Sequence, residues 1–151
     1  MFRKSGLRTL GALAVAAAIV GASAVAFAGE ADVKFRQATM KAVGGHMAAM
    51  AAIIKGEVKH ASHLRAHAGA MANLGKMGPD IFAKGTEGGS TKADAWKKPE
   101  EFKKALAAFT AASDNLYKAT QGTDKKAIGG AFAALGKTCK DCHDSFREKQ
   151  K

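Results

Sequence analysis

Only two cysteines occur among the 151 residues, Cys139 and Cys142, and His143 directly follows the second. Cys-x-x-Cys-His is the spacing at which a c-type haem is attached. On a helix, residues three and four apart share a face, so two thiols at this spacing can reach the two vinyl groups of one porphyrin. The adjoining imidazole then projects toward the iron from the proximal side. Three other chemistries use such residues. A thioredoxin-like pair opens a helix that follows a strand, where the helix dipole lowers the thiol pKa; here the pair sits late in a helical stretch. A zinc site needs two further ligands. His60, His63 and His67 could cluster on one helix face, but nothing in the sequence ties that face to the cysteines. A disulfide across two intervening residues closes too small a loop to staple a domain. Haem attachment leads, and a non-haem metal-binding or thiol protein stands as the alternative.

The elements that must position these residues are helical throughout, since no stretch alternates like a strand. A first amphipathic segment, about 31–55, carries Arg36, Met40, Val43, Met47, Met50 and Ile54 at spacings of four and three, and Gly56 ends it. A second, about 58–76, carries Leu64, Met71 and Leu74 on a stripe otherwise rich in alanine. Gly78, Pro79, Gly85, Gly88 and Gly89 make 77–98 a long connection, a length that is usually functional in a compact domain. Trp96 near its end argues that it is ordered. Pro99 suits the first turn of a third helix, with Glu100 and Glu101 at its positive end. Its inner stripe is Phe102, Leu106, Phe109, Ser113 and Leu116. The fourth runs from after Thr123 to about Glu148, with Ile128, Phe132, Leu135, Cys139, Cys142 and Phe146 inward. Four such helices pack as an all-α, antiparallel up-down-up-down four-helix bundle.

The start of the chain stands apart. Arg3, Lys4 and Arg8 precede an alanine-rich apolar run to Phe27, and Ala26-Phe27-Ala28 is a small-x-small cleavage pattern. The expectation is a cleaved signal peptide over 1–28 and a mature periplasmic domain over 29–151, with no stable membrane insertion after cleavage. An uncleaved anchor is the rival, the run being near the lower limit for spanning a bilayer. Three of the 24 basic residues lie in the leader, and against the 13 acidic ones the mature chain keeps a formal charge of about +8. Export and the lack of an aromatic-interleaved basic stripe argue against nucleic acid. Most of the lysines read as solvated surface, and an acidic redox partner comes next.

A Cys-x-x-Cys-His near the end of a fourth helix, followed by Phe146-Arg147, resembles the class II c-type cytochromes, the cytochrome c-prime family. The likeness spans the mature chain and includes Phe35-Arg36-Gln37, Gly85-Thr86-Glu87-Gly88-Gly89 and Trp96. It implies one covalent haem c on Cys139 and Cys142 near one end of the bundle, His143 on the iron and Arg36 near a haem propionate. It also implies frequent homodimers through the first helix, whose Ala48, Ala49, Ala51 and Ala52 would permit close packing.

Family members divide on the far side of the iron. Some leave it open, and small gases such as nitric oxide bind. Others complete it with a methionine of the first helix and resemble electron carriers. The dividing position matches Met40. In an up-and-down bundle the end of helix four lies level with the start of helix one, so that Met40 and His143, each roughly 10 Å inward, can meet across one haem. Met47 and Met50 lie a turn or more deeper and read as core; Met77, in the long connection, competes. The low-spin, methionine-ligated branch and a non-enzymatic, one-electron carrier are the leading expectation. A five-coordinate gas-binding protein is the alternative. Lys34, Lys41, Lys137, Lys140 and Lys149 fall near the haem end and would steer an acidic partner. His46, six residues past Met40, points elsewhere.

Overall fold

The computed structural model describes residues 19–149, with side chains from 29 onward. Most of the expected signal peptide, 1–18, lies outside the described residues. Four long helices form the body: α1 (Ile19–Ile54), α2 (Leu64–Lys76), α5 (Pro99–Ala119) and α6 (Lys125–Phe146). Two single-turn helices, α3 (Gly78–Ile81) and α4 (Asp94–Lys97), sit in the long connection. The described residues contain no strand, only one isolated antiparallel bridge between Thr91 and Arg147. None of their helices is long and apolar enough to cross a membrane. The expected four-helix bundle is what the chain forms.

Local chemistry explains where the helices stop and start. Gly56, at φ +75°, ends α1 in a left-handed turn, with its N–H donating to Ile53 and that of Glu57 to Ala52. That is the Schellman arrangement, which satisfies otherwise orphaned carbonyls. Asp124 caps α6 by accepting from the N–H groups of Lys126 and Ala127 at 2.8 and 3.1 Å. Pro99, Glu100 and Glu101 open α5 as expected.

Several boundaries differ from the sequence reading. α2 begins at Leu64 rather than near residue 58, because the reversal at Gly56 is followed by a 3₁₀ turn over Ala61–His63. α1 begins at Ile19, inside the segment expected to be removed, so Met40 lies farther from the start of its helix than the roughly 10 Å expected. α6 ends at Phe146 instead of near Glu148, because Arg147 turns out to meet Thr91. The connection read as a loop contains two helical turns, and Pro79 initiates the first as well as ending α2.

The alanine-rich face of α2 works by closeness rather than bulk. Ala68, Met71, Ala72 and Gly75 are buried, and a Cβ on Gly75 would come within 3.2 Å of the Thr110 backbone on α5. The main core gathers Val43, Met50, Ala68, Met71, Leu116, Ile128 and Leu135. A second cluster, Ala95, Phe102 and Phe146 with Phe82, Trp96, Leu106 and Cys142 around it, closes one end of the bundle. α1 packs on α2, α2 on α5 and α5 on α6, whereas α1 and α6 scarcely touch. A cavity opens between those two.

Candidate functional site

The cavity measures about 680 Å³ and its lining is mostly apolar. Such a volume is in the range that cofactor sites occupy. One wall is α6, with Cys139, Cys142, His143 and Phe146; the facing wall is α1, with Arg36, Met40, Val43 and Met47. Each set follows the four-and-three stripe read from the sequence, which is why a helix repeat of 3.6 places them on one side. Phe82, Phe102 and Leu106 form the floor. The rings of Phe82, Phe102 and Phe146 join in an edge-to-face chain, Phe82 to Phe102 and Phe102 to Phe146, with both centroid distances 5.0 Å. The aromatic floor keeps that side of the cavity apolar.

The residues fit a covalently held haem. Both cysteines are free and half-buried. Burial raises the Cys139 thiol, and burial with the nearby Cys139 pushes Cys142 up to about 11. Both are therefore neutral thiols at pH 7, unlike the low-pKa thiolate of a redox pair. Among the described residues no three His, Cys, Asp or Glu stand close enough to hold a metal ion, so no zinc cage surrounds the pair. His143 sits at the mouth of the cavity, three residues before the end of α6. Desolvation, then the charge of Arg147, draws its pKa below the ordinary imidazole value, favouring the neutral ring that ligates metals.

Arg36 is 2% exposed, and its guanidinium is largely engaged by the 81–88 segment. Nη1 donates to the carbonyls of Ile81 (3.2 Å) and Thr86 (2.7 Å) and to the Thr86 hydroxyl (3.1 Å); Nη2 donates to Gly88 O at 2.9 Å. It also lies against the rings of Phe82 and Trp96. Thus Arg36 lines the cavity and also ties α1 to the glycine-rich segment. Gly89, at φ +66°, lies so close to α1 that a Cβ would meet Val33 at 2.9 Å. Trp96 donates from Nε1 to Phe82 O at 3.1 Å, which orders the connection as its presence suggested.

The methionines separate clearly. Met40 lines the cavity, whereas Met77 does not. Met50 is fully buried in the core, while Met47, read as core filler, reaches the deeper cavity wall as well. The lysine ring is partly neutralised: Lys34 pairs with Glu30, Lys137 with Asp141 and Lys140 with Asp144. His60 and His63 are exposed and stacked on each other, while His67, expected to share their face, is half-buried, and His46 lies off the cavity wall. What the sequence did not disclose is that His46 reaches across to His67, with the two Nδ1 atoms 2.9 Å apart. Phe82 was also missed, since a lone aromatic between glycines carries no helical period.

A family profile described as Cytochrome C' matches residues 31–147. The cytochrome c' of Pararhodospirillum photometricum is 39% identical over 122 residues, 79% of this chain and 98% of that one. A cytochrome c-556 of Agrobacterium fabrum is 37% identical over 131 residues, 85% of this chain and 88% of its own length. Among solved structures, a nitric oxide complex of a cytochrome c prime variant from Alcaligenes xylosoxidans superposes with a TM-score of 0.76 at 29% identity. It covers 81% of this chain and 97% of that one. The cavity between α1 and α6, the paired thiols with their histidine and these likenesses agree: the chain belongs to the cytochrome c' family, whose members carry one covalent haem c.

Proposed function

We propose that this chain is a periplasmic monohaem cytochrome that takes a small gas such as nitric oxide on the haem face covered by Met40, opposite His143. The observation that carries this reading is the α1 wall of the cavity, where Met40, Val43 and Met47 present only apolar or weakly coordinating groups. The solved relatives of the same bundle include nitric oxide complexes, which supports gas binding more than the carrier role that the sequence put first. When bound, the haem supplies an iron that changes charge by one electron and has a coordination position for a sixth ligand.

The protein's own groups prepare the rest. Cys139 and Cys142 hold the porphyrin through their sulfurs, and His143 offers a neutral nitrogen. Phe82, Phe102 and Phe146 exclude water from one side. Arg36, with its remaining N–H groups, is one of the cations of the lining available to a propionate, with Lys41 and Arg147. Met40 is the side chain an incoming gas must pass. The second reading makes Met40 itself the sixth ligand and the protein an electron carrier; its place on the cavity-facing stripe favours that role too. Absorption spectra of the reduced protein with and without carbon monoxide separate the two. Prompt carbon monoxide binding to a five-coordinate haem supports the first, and a six-coordinate haem indifferent to it supports the second.

The proposal includes partners. A redox partner with an acidic face would meet Lys41 and Lys149, because Lys34, Lys137 and Lys140 are already paired. Electron-transfer rates indifferent to ionic strength would remove that element. A second copy would pack on the alanine face of α1, where Ala48 is exposed and Ala49, Ala51 and Ala52 are half-buried. Sedimentation velocity decides between monomer and dimer.

A further inference from the structure

His46 projects from α1 and His67 from α2, away from the haem cavity, and both are half-buried. Their Nδ1 atoms stand 2.9 Å apart, with the rings crossing edge-on at 61°. Without a metal, one ring donates its Nδ1–H to the other, so at least one of the two is neutral. The same separation has a second meaning. Metal–imidazole bonds are about 2.0–2.1 Å long. Two such bonds at a right angle put their nitrogens about 2.9 Å apart, and at the tetrahedral angle about 3.3 Å. The observed spacing is that of adjacent ligands in a tetragonal site, the geometry of Cu(II) and Ni(II) with nitrogen donors.

We propose that His46 and His67 form a two-imidazole clamp for a divalent transition metal, Cu(II) foremost, across the α1–α2 interface. Both nitrogens come from long helices packed against each other, so the clamp is held by the bundle rather than by a loop. Binding requires that the donor ring carry its proton on Nε2 in place of Nδ1, which leaves both rings neutral, and that the rings turn until both Nδ1 lone pairs converge on the metal. Among the described residues no third His, Cys, Asp or Glu completes a cage, and water fills the remaining positions. His63, four residues before His67 and stacked on His60, lies a turn away on an exposed face. It is not part of the clamp.

The test uses the oxidised holocytochrome, freed of metal by a chelator and titrated with Cu(II) in a weakly coordinating buffer. Binding is followed by electron paramagnetic resonance and by metal analysis after gel filtration. The expected result is one bound Cu(II) with splitting from two nitrogens. Affinity falls at least tenfold in His46→Ala and in His67→Ala and is unchanged in the His60→Ala/His63→Ala double variant. The visible haem spectrum of each variant shows that the bundle is intact, and His67→Gln serves if an alanine variant fails that check. Copper that binds equally well without His46 or His67, or that is lost with His60 and His63, overturns the proposal, as does the absence of a stoichiometric site.

Discussion

Arg36 on α1 and Thr86 in the glycine-rich connection are joined twice through one guanidinium nitrogen, at 2.7 Å to the carbonyl and 3.1 Å to the hydroxyl. Arg36 also holds Ile81 and Gly88, so one buried cation fixes the segment that supplies Phe82 to the cavity floor. Removing it strands the buried carbonyls of Ile81 and Thr86, each costing about 1–3 kcal/mol when left unpaired. Arg36→Leu is expected to lower the stability of the holoprotein by about 3 kcal/mol or more. Arg36→Lys should recover only part of that loss, because an ammonium cannot reproduce the fork. Denaturant unfolding followed at the haem band measures both.

On the proposed gas-binding reading, Met40 is the side chain of the cavity wall that an incoming ligand must pass. Met40→Ala is expected to speed carbon monoxide binding to the reduced protein by about tenfold, equivalent to removing a barrier of about 1.4 kcal/mol. Met47→Ala, a turn and more deeper, should change the rate far less. Stopped-flow mixing provides the comparison. Equal effects at the two positions would mean that Met40 is not the gate.

The cysteines are expected to act as attachment points and not as thiol reagents. In protein matured with its haem, no free thiol should titrate even after denaturation, and the haem should stay with the chain on a denaturing gel. A Cys139→Ala/Cys142→Ala double variant should lose the haem there. Two titratable thiols in a coloured wild-type protein would contradict attachment.

The His46–His67 contact also has a pH signature in the metal-free protein. Desolvation, then the neighbouring His67, lowers the His46 pKa below its ordinary 6.5. Between the lowered folded value and 6.5 the unfolded chain holds more protons, so stability falls as pH drops through that window. His67 on α2 is the titratable group that faces it. The melting temperature of the wild type should therefore fall more steeply than that of His46→Gln below about pH 6.5. Parallel curves with a chelator present would show that the contact does not titrate.

Much of this was legible in the sequence because helical stripes report which residues share a face. Arg36, Met40, Val43 and Met47 share one face of α1, and Cys139, Cys142, His143 and Phe146 one face of α6, as their spacing requires, and both sets line the cavity. The loop-borne parts were harder to read. Gly78 and Pro79 signal a break, yet Pro79 also starts α3, and Phe82 has no periodic partner. The short start of α2 was misplaced because capping by Gly56 costs several residues of reversal. The His46–His67 contact depends on the relative rotation of two helices, which spacing within either one does not determine. Lysines were counted as free charge, and their pairing at i, i+4 with Asp141 and Asp144 was in the sequence to be used.

The most direct test of the central claim is the absorption spectrum of the reduced holoprotein before and after adding carbon monoxide. A five-coordinate, high-spin spectrum that converts promptly to the carbon monoxide form is the result expected of a gas-binding haem gated by Met40. A low-spin, six-coordinate spectrum that carbon monoxide leaves unchanged, and that becomes reactive only in Met40→Ala, would contradict it and make the chain a methionine-ligated electron carrier.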